Sequence, residues 1–481
     1  MKNFQQLIKE LISYPKETEW LEFKHSNFDP SMIGERISAL ANSATLIGRD
    51  QAYIVWGIDD KTHQILGTDI SLSQQRKGNE ELESWLRHQL SPNAEFQMCS
   101  TEVDGKNIEF IMINKAIAYP VEFGKEVYIR IGSYTKKLRD YREKQATLFE
   151  KLRAISMEDT PAMTDLPLGE VRQRLSCDAY FKAVKIPLPK DEGGYAHPLM
   201  EEGLIKKQDN GLYTITYLGA ILLATRLADF PRVGRKAIRI IQYEGTDKSQ
   251  IARNKDVEFG YVEGFIKSIE TIQDWLPSQE RIQVTRQTIH PYPVEAIREA
   301  LANALIHQDL SQTGNGPMVE IFRNRIEILN PGAPLIEPRR IVDNPPRSRN
   351  EKLAALMRRM GFCEEAGSGW DRMVKACEHD YLPAPRINSY EASTQVTLFS
   401  HLDYRSISQE DRIWSAYLHA CIRHIEGESL LNSTLRARFG LAESYAASIS
   451  RLIKDTVEEG LIKPLDPNIG KKHMRYIPFW G

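Results

Sequence analysis

Apolar residues recur at helical spacing between residues 295 and 310, and this pattern predicts an amphipathic helix. Alanine and leucine form its apolar face, and no Gly or Pro interrupts the segment. Glu299 and Asn303 are four residues apart and His307 continues the line, so the three polar side chains share one face. Such a face is most often simply solvated. A carboxylate in line with a carboxamide also suits a magnesium–phosphate site, because the carboxylate can activate a water and the amide oxygen can bind Mg²⁺.

Two glycine-containing elements follow this helix, one after a pair of short predicted strands and one at the start of a later helix. The first is a turn with Asn330 and Gly332, and the second is formed by Gly367, Ser368 and Gly369. Either element alone is a common turn or loop. At a helix start, backbone N–H groups and the helix dipole favour phosphate oxygens.

A basic segment lies between the two glycine elements. It contains Arg347 and Arg349 after two adjacent prolines, which stiffen the backbone. Such a segment suits a lid over phosphate groups, since arginine binds phosphate through paired hydrogen bonds. A surface loop is an equally good interpretation.

The N-terminal region has the alternating pattern of strands on either side of a helix. Polar and apolar residues alternate over residues 20–24, which predicts a strand with Glu22 and Lys24 on one face. A helix is predicted over residues 31–45, and an apolar strand over residues 53–58.

Carboxylates flank these predicted elements. Glu17 and Glu22 precede the helix, and Asp59 follows the second strand. Converging carboxylates with a lysine, here Lys24, are what a Mg²⁺ or Mn²⁺ phosphodiesterase needs, because hard cations bind oxygen and lysine stabilises phosphate charge. The alternative is a solvated sheet face followed by a turn.

The hexapeptide Glu-Glu-Gly-Leu-Ile-Lys occurs twice, at residues 201–206 and 458–463. Each copy follows a predicted helix and precedes a predicted hairpin, the usual end of a winged helix. The glycine suits a left-handed helix C-cap. The shared context favours two winged-helix regions.

Basic residues near the ends of the first and last regions are candidates for contacts to nucleic-acid phosphates. A solvated edge is the alternative, and for the last region a protein-binding winged helix. The candidates are Arg130, Lys136 and Lys137 in the first region, and Arg436, Arg438, Arg451 and Lys454 in the last.

Composition bounds these interpretations. The chain of 481 residues suggests roughly three or four domains of about 100–200 residues each. A net charge of −2 argues against electrostatic binding of nucleic acid by the protein surface as a whole. Any such binding is therefore expected only at local basic patches. No apolar run reaches the ~18 residues of a membrane span. The five scattered cysteines form no C-x-x-C and favour a reducing cytosol over structural zinc, so a cytoplasmic protein is expected.

The helix with Glu299 and Asn303 and the two glycine elements together resemble the GHKL (Bergerat) ATP-binding fold, in the divergent bacterial form described as a RecG-like C-terminal region. The resemblance implies that Glu299 activates water and that Asn303 binds Mg²⁺. One position departs from the family, since Asn330 stands where an aspartate contacts adenine. The candidate ATP contacts are Asn303, His307, Asn330, Gly332, Arg347, Arg349, Gly367, Ser368 and Gly369.

The pattern E-x4-E-F-K from Glu17, the following helix and the strand ending at Asp59 resemble the Schlafen-type AlbA-like domain over about residues 15–140. Ribonuclease members of that group use these carboxylates as an active site. The resemblance therefore implies catalytic and metal-binding roles for Glu17, Glu22 and Asp59, with Lys24 beside them. The loop at residues 46–50 departs from the family's usual Gly-Gly.

The predicted fold class is an α+β multidomain protein. Its regions are an AlbA/Schlafen-like domain at residues 1–150, a winged-helix connector at 151–285, a GHKL α/β sandwich at 286–400 and a C-terminal winged helix at 401–481. The resemblances favour a metal-dependent nuclease whose activity is regulated by ATP. RNA, including tRNA, is the favoured substrate, and bacterial defence against phage is the expected setting. The alternatives are an ATP-responsive DNA-binding transcriptional regulator without nuclease activity, and an ATPase coupled to a partner protein. Expected cofactors are ATP and Mg²⁺ or Mn²⁺, and expected partners are nucleic acid and further copies of the chain in a homo-oligomer.

Overall fold

The structure is a computed structural model that describes residues 4–14, 17–91, 94–154, 156–208, 210–276, 279–282, 286–289, 291–345, 347–363, 368–468, 470 and 474–481. The chain divides into two compact units, residues 1–157 and 158–481. Both units mix helices and strands, which confirms the predicted α+β class. The finer division into four domains stays a prediction.

The first unit contains four helices and ten strands among its described residues. In chain order they are α1 (Phe4–Ile12), β1 (Leu21–Lys24), α2 (Pro30–Ile47), β2 (Gln51–Trp56), β3 (Arg76–Lys77), β4 (Glu80–Glu81), α3 (Leu82–Gln89), β5 (Leu90–Ser91), β6 (Phe96–Val103), β7 (Lys106–Asn114), β8 (Glu122–Phe123), β9 (Glu126–Ile131), β10 (Tyr134–Lys137) and α4 (Arg142–Ala154).

Helix α2 lies at the centre of this unit and has a cap at each end. The Asp29 side chain accepts hydrogen bonds from two first-turn amides, and Gly48 ends the helix in the left-handed conformation at φ 75°. One sheet has the order β1-β2-β7-β6, in which β1 and β2 run parallel and the other neighbours antiparallel. A second sheet has the order β10-β9-β8-β5, and α2 packs against β9. The predicted helix and strands at residues 20–58 are confirmed within a few residues.

The second unit contains the remaining elements. They are β11 (Pro161–Leu166), α5 (Leu168–Arg174), α6 (Cys177–Ala183), α7 (Glu192–Glu201), β12 (Ile205–Lys207), β13 (Tyr213–Thr216), α8 (Tyr217–Leu223), β14 (Ile238–Tyr243), β15 (Ile251–Val257), α9 (Tyr261–Trp275), β16 (Gln279–Ile282), β17 (Arg286–Ile289), α10 (Val294–His307), β18 (Met318–Ile321), β19 (Arg325–Pro331), α11 (Glu351–Arg359), α12 (Gly369–His379), β20 (Arg386–Ser389), β21 (Ser393–Phe399), α13 (Gln409–Ile425), α14 (Asn432–Arg438), α15 (Ala446–Glu458), β22 (Ile462–Pro464) and β23 (Tyr476–Pro478).

The start of this unit has the arrangement of a winged helix. Helices α5, α6 and α7 accompany an antiparallel sheet of order β11-β13-β12. The helical segment is interrupted between α5 and α6, where the Ser176 amide donates to the Leu223 carbonyl at 2.6 Å instead of continuing α5.

A six-stranded sheet of order β15-β14-β18-β19-β21-β20 forms the middle of the unit. Strands β14 and β18 run parallel, and the other neighbours run antiparallel. Helices α9 and α10 pack on this sheet through apolar faces that include Phe265, Ile272, Leu301 and Leu305. The sheet and α10 together hold the predicted GHKL elements.

The chain ends in three helices and a hairpin, as predicted. Arg451 and Lys454 lie on exposed positions of α15, and Lys454 forms an ion pair with Glu458 at 3.2 Å. The expectation that Arg438 faces phosphates is wrong, because its side chain is fully buried 3.7 Å from the Glu378 carboxylate. No helix in the described part of the chain is long and apolar enough to cross a membrane.

Candidate functional site

A cavity of about 700 Å³ opens between α10, the sheet and the segment leading into α12. It is lined by most of the residues that the sequence assigns to an ATP site. Those residues are Glu299, Asn303, His307, Asn330, Arg347, Arg349 and Gly369. Its volume lies within the ~300–1,000 Å³ usual for small-molecule sites.

Helix α10 presents its polar line to this cavity because its apolar line is packed on the sheet. The Asn303 amide nitrogen donates to the Glu299 carboxylate at 3.3 Å. Since the nitrogen is the donor in this bond, the amide oxygen is the atom left to accept a hydrogen bond or bind a cation. This arrangement fits the predicted role of Asn303 as a Mg²⁺ ligand, although residue roles at this site stay predictions.

The start of α12 approaches Glu299 so closely that any side chain at position 369 would require the Glu299 carboxylate to move. A Cβ atom added to Gly369 would lie 1.9 Å from a carboxylate oxygen of Glu299. The backbone of this glycine element therefore borders the same carboxylate as α10. Gly367 lies outside the described residues, and Ser368 directly precedes α12.

The turn after β19 brings backbone to the cavity edge. Asn330 is buried at the cavity wall, and its amide nitrogen donates to the Pro331 carbonyl at 3.1 Å. Gly332 has φ 103°, which favours glycine, and an added Cβ would lie 3.0 Å from the Asp309 amide nitrogen. The Thr394 hydroxyl donates to the Gly332 carbonyl at 2.7 Å, so β21 fixes the turn from the other side.

Arg349 holds two segments of the cavity wall together, whereas the sequence suggested that it belongs to a lid over phosphate groups. Its guanidinium donates to the carbonyls of His307 at 3.1 Å and Ala333 at 2.6 Å. These bonds use two of the five N–H donors of the guanidinium and hold it against the cavity wall. Arg347 is exposed and lines the cavity.

His307 enters the cavity as a neutral imidazole. Burial, together with the smaller effect of the nearby Arg349, lowers the pKa of His307 to about 4. At neutral pH the ring therefore adds hydrogen-bonding capacity without adding charge.

The cavity lining combines apolar and polar side chains. Ile336, Ile341, Ile387 and Val396 contribute apolar surface, whereas Glu299 and Asn303 contribute polar groups. A nucleotide needs this combination, with an apolar place for the base and polar groups for the phosphates. A carboxylate and an amide oxygen fit Mg²⁺, which keeps water and phosphate oxygens as its other ligands. Sequence reasoning did not assign Arg358, Trp370 and Thr394, which also line the cavity.

In the first unit, three cations surround the Glu22 carboxylate. Glu22 is 2% exposed, and its oxygens lie 2.8 Å from the Lys24 ammonium, 2.7 Å from Arg36 and 2.5 Å from Arg130. The predicted placement of Glu22 and Lys24 on one strand face is thereby confirmed. Arg36 was missed, although it is the one cation in an otherwise apolar and small-residue stretch of α2.

Glu17 borders this group of charges. Its carboxylate accepts the Phe23 amide at 2.9 Å and lies 3.8 Å from Arg130. Burial raises the pKa of Glu17 above its usual value, against the lowering effect of the Phe23 hydrogen bond. Glu17 and Glu22 therefore share the Arg130 guanidinium.

Asp59 is engaged in a separate turn. One oxygen accepts the Thr62 amide at 2.7 Å, the Thr62 hydroxyl at 2.8 Å and the Lys61 amide at 3.1 Å. The Thr62 bonds hold the pKa of Asp59 below its usual value. Among the described residues, no group of three or more His, Cys, Asp or Glu side chains is placed to hold a metal ion. The three-carboxylate metal site of Glu17, Glu22 and Asp59 is therefore not assembled in this conformation.

The basic stretch at the end of the first unit also differs from its prediction. Arg130 is 1% exposed and contacts carboxylates, so it is not a surface contact for phosphates. Lys136 is exposed, and Lys137 forms an ion pair with Glu126 at 3.1 Å. Arg130 lies on β9, whereas Lys136 and Lys137 lie on β10, and the basic stretch by itself could not show that Arg130 points inward.

Family comparison identifies two parts of the chain. Residues 17–139 match the family described as Schlafen, AlbA_2, and residues 314–398 match the family described as putative ATP-dependent DNA helicase recG C-terminal. Both matches confirm the resemblances drawn from the motifs. The second match begins after α10, so the assignment of Glu299 and Asn303 depends on the cavity geometry and on the motif.

Two solved structures resemble the chain weakly. The DIP2311 protein from Corynebacterium diphtheriae shares 16% identity over 98% of this chain and 96% of its own, with a TM-score of 0.44. The N-terminal domain of a putative ATP-dependent DNA helicase RecG-related protein from Nitrosomonas europaea shares 21% identity over 28% of this chain and 93% of its own, with a TM-score of 0.21. The comparison with curated proteins finds no match.

Proposed function

We propose, from a chain that carries a Schlafen AlbA_2 domain and a RecG-type C-terminal ATPase-like domain, that this protein acts on nucleic acid under the control of bound ATP. The main supporting observation is the cavity that brings together residues of three separate segments, namely Glu299 and Asn303 of α10, Asn330 of β19 and Gly369 of α12. Segments so distant in sequence meet around a nucleotide-sized space that is lined by both apolar and polar side chains.

The chain's own residues have distinct tasks in this proposal. Asn303 turns its amide oxygen towards the phosphate side, and the Glu299 carboxylate accepts a proton from water when a phosphoanhydride is hydrolysed. Neutral His307 leaves the charge of the site unchanged at physiological pH. A Mg²⁺ ion bound with the nucleotide would supply neutralisation of the phosphate charge.

Calorimetry with a non-hydrolysable ATP analogue tests the nucleotide site. The wild-type protein should bind the analogue more tightly with Mg²⁺ than without it. Asn303→Ala should lose most of this Mg²⁺ dependence, a change of about 10–100-fold in affinity, which is typical for groups that support a metal. Asn254→Ala is the matched control, because Asn254 lies on an exposed part of the edge strand β15. Equal Mg²⁺ dependence in Asn303→Ala would overturn the assignment.

A more specific form of the proposal is that the protein cleaves the nucleic acid on which it acts. The grouping of Glu17, Glu22 and Lys24 around Arg130 supports it, because two carboxylates and a lysine lie next to one another there. By family resemblance the favoured substrate is RNA, with tRNA as one such substrate, and the setting is defence against phage. The catalytic arrangement requires Asp59 to join the other two carboxylates, together with Mg²⁺ or Mn²⁺.

A second candidate is a nucleic-acid-binding regulator that cuts nothing. The neutralisation of Glu22 by Lys24, Arg36 and Arg130 favours it, because a carboxylate held by three cations is a structural centre. In this version the exposed basic residues Lys136, Arg451 and Lys454 contribute to binding.

One experiment separates these two candidates. Total cellular RNA and short DNA duplexes are incubated with purified protein and Mn²⁺ or Mg²⁺, with and without ATP, and binding is measured at several salt concentrations. A nuclease cuts in a metal-dependent manner, and Asp59→Asn abolishes cutting because a metal ligand has lost its charge. Asp60→Asn is the neighbouring control. A regulator binds with a steep salt dependence and leaves every substrate intact.

A further inference from the structure

Helix α11 forms one wall of the cavity, and residues of the winged-helix connector contact both of its ends. Glu351, Ala354 and Arg358 line the cavity. On its other faces Leu353, Leu356 and Met357 are buried in the unit. The helix is thus a partition between the candidate nucleotide site and the connector.

At the beginning of α11 the cap comes from a distant residue. A helix start leaves backbone N–H groups without partners, and the residue before the helix, Asn350, makes no side-chain cap. The carboxylate of Glu158 fills this role, since one oxygen accepts the Leu353 amide at 2.6 Å and the other the Lys352 amide at 3.4 Å. Glu158 is 3% exposed, so these bonds are shielded from water.

The neighbouring contact strengthens this attachment. The Lys352 ammonium lies 2.6 and 2.7 Å from the two oxygens of Asp159. A negative charge at a helix start also interacts favourably with the helix dipole. Glu158 is the residue at which the chain enters the second unit, and strand β11 of the winged-helix sheet begins three residues later.

The end of α11 is attached to the same connector. Arg359 forms an ion pair with Glu202 at 2.6 Å and donates to the Tyr180 hydroxyl at 3.0 Å. Tyr180 lies on α6, and Glu202 is the C-cap of α7. A movement of α11 therefore strains or releases three sets of bonds together. They join α11 to Glu158 and Asp159 just before β11, to Tyr180 of α6 and to Glu202 at the end of α7.

We infer that Glu158 is a positioning residue that couples occupancy of the cavity to the winged-helix connector through α11. The inference rests on the proposed function and adds to it a route for nucleotide control. Nucleotide bound against Glu351, Ala354 and Arg358 fixes the position of α11, and α11 in turn orders the connector residues that cap and clamp it. Because coupling is reciprocal, loosening the connector must also change nucleotide affinity.

Hydrogen exchange of the full chain with and without Mg²⁺ and a non-hydrolysable ATP analogue tests this route. In the wild-type protein the analogue should slow exchange in residues 158–207 as well as around the cavity. In Glu158→Gln the connector should lose this nucleotide-dependent protection, and the affinity for the analogue should fall about fivefold or more, the lower range of measured couplings. A purely structural role would change exchange equally with and without the analogue.

Two further variants keep the test decisive. Arg359→Met removes the other attachment at a half-exposed position, so it should reduce the transmitted protection even if Glu158→Gln folds poorly. Glu170→Gln, an exposed carboxylate on α5, is the matched control and should behave as the wild type. Absence of analogue binding by the wild-type protein contradicts the proposed function itself. Normal binding with no protection of the connector, or with protection retained in both variants, overturns the coupling alone.

Discussion

The two acidic sites differ in what surrounds their central carboxylate. Glu22 is almost fully buried, and Lys24, Arg36 and Arg130 approach it from β1, α2 and β9. Glu299 faces a cavity of about 700 Å³, and one of its partners there is the neutral amide of Asn303. In the first site cations of the protein enclose the carboxylate, whereas in the second the carboxylate borders a space that a ligand can enter.

This difference shows that a sequence motif alone does not tell whether its carboxylate is accessible to a ligand. Both carboxylates belong to motifs that suggest metal and phosphate chemistry. A buried carboxylate with three cationic partners stabilises the fold only while all partners are present, because removing one leaves a buried charge unpaired. A carboxylate at a cavity wall can be altered with little structural cost and a larger effect on ligand binding.

The largest expected effect is on stability in the first unit. Glu22→Gln should lower the free energy of opening of β1 and β2 by about 3–5 kcal/mol, because Arg130 would stay buried beside a neutral amide. Hydrogen exchange of the amides in residues 21–56 measures this change. Glu299→Gln is the matched control and should alter protection of α10 by less than about 1 kcal/mol. Equal effects at both sites would contradict the comparison.

The next effect is a pH dependence at the cavity. The pKa of His307 is about 4 in the folded protein, below its usual value, so the unfolded state binds the proton first as pH falls. The contribution of His307 to the free energy of unfolding is therefore fully present above about pH 6.5 and is lost as the pH falls towards 4. The loss amounts to about 3 kcal/mol for this one group. His307→Gln should remove that decline in urea unfolding followed at pH 7 and pH 4.5. The exposed His401→Gln variant should retain the wild-type decline.

A smaller effect is expected from filling the gap beside Glu299. Gly369→Ala would displace the Glu299 carboxylate, because the added methyl group overlaps it. Its bond to Asn303 should then break, and Mg²⁺-dependent binding of an ATP analogue should weaken about tenfold, as for other supporting groups of a metal. Calorimetry measures this loss. The control is Gly169→Ala, where an added Cβ meets nothing within 4 Å. Unchanged binding in Gly369→Ala would remove Glu299 from the proposed site.

The smallest effect is expected at Asp59. Asp59→Asn should leave the stability of the first unit nearly unchanged, because the amide oxygen can still accept the turn bonds from Thr62 at this partly exposed position. Thermal unfolding of the variant beside Glu22→Gln measures the contrast. A loss as large as that of Glu22→Gln would mean that Asp59 belongs to the same buried centre.

Local patterns predicted the secondary structure well and the surroundings of side chains less well. Helix α10 and strands β1, β2, β18 and β19 follow from apolar spacing and lie close to their predicted positions. The break between α5 and α6 depends on a bond to Leu223, far along the chain, so local spacing could not locate it. The inward positions of Arg130 and Arg438 were missed because a charged residue normally faces water, and their acidic partners also lie far along the chain.

The amino-acid sequence by itself determined the α+β class, the two motif-bearing regions and the polar face of α10, because these depend on residues close together in the chain. Tertiary structure alone decided which charges meet. Arg130 reaches Glu22 across 108 positions, and Glu158 caps Leu353 across 195. Such pairs depend on how sheets and helices pack, and no local spacing records them. Packing therefore made one acidic motif a neutralised centre and the other the wall of an open cavity.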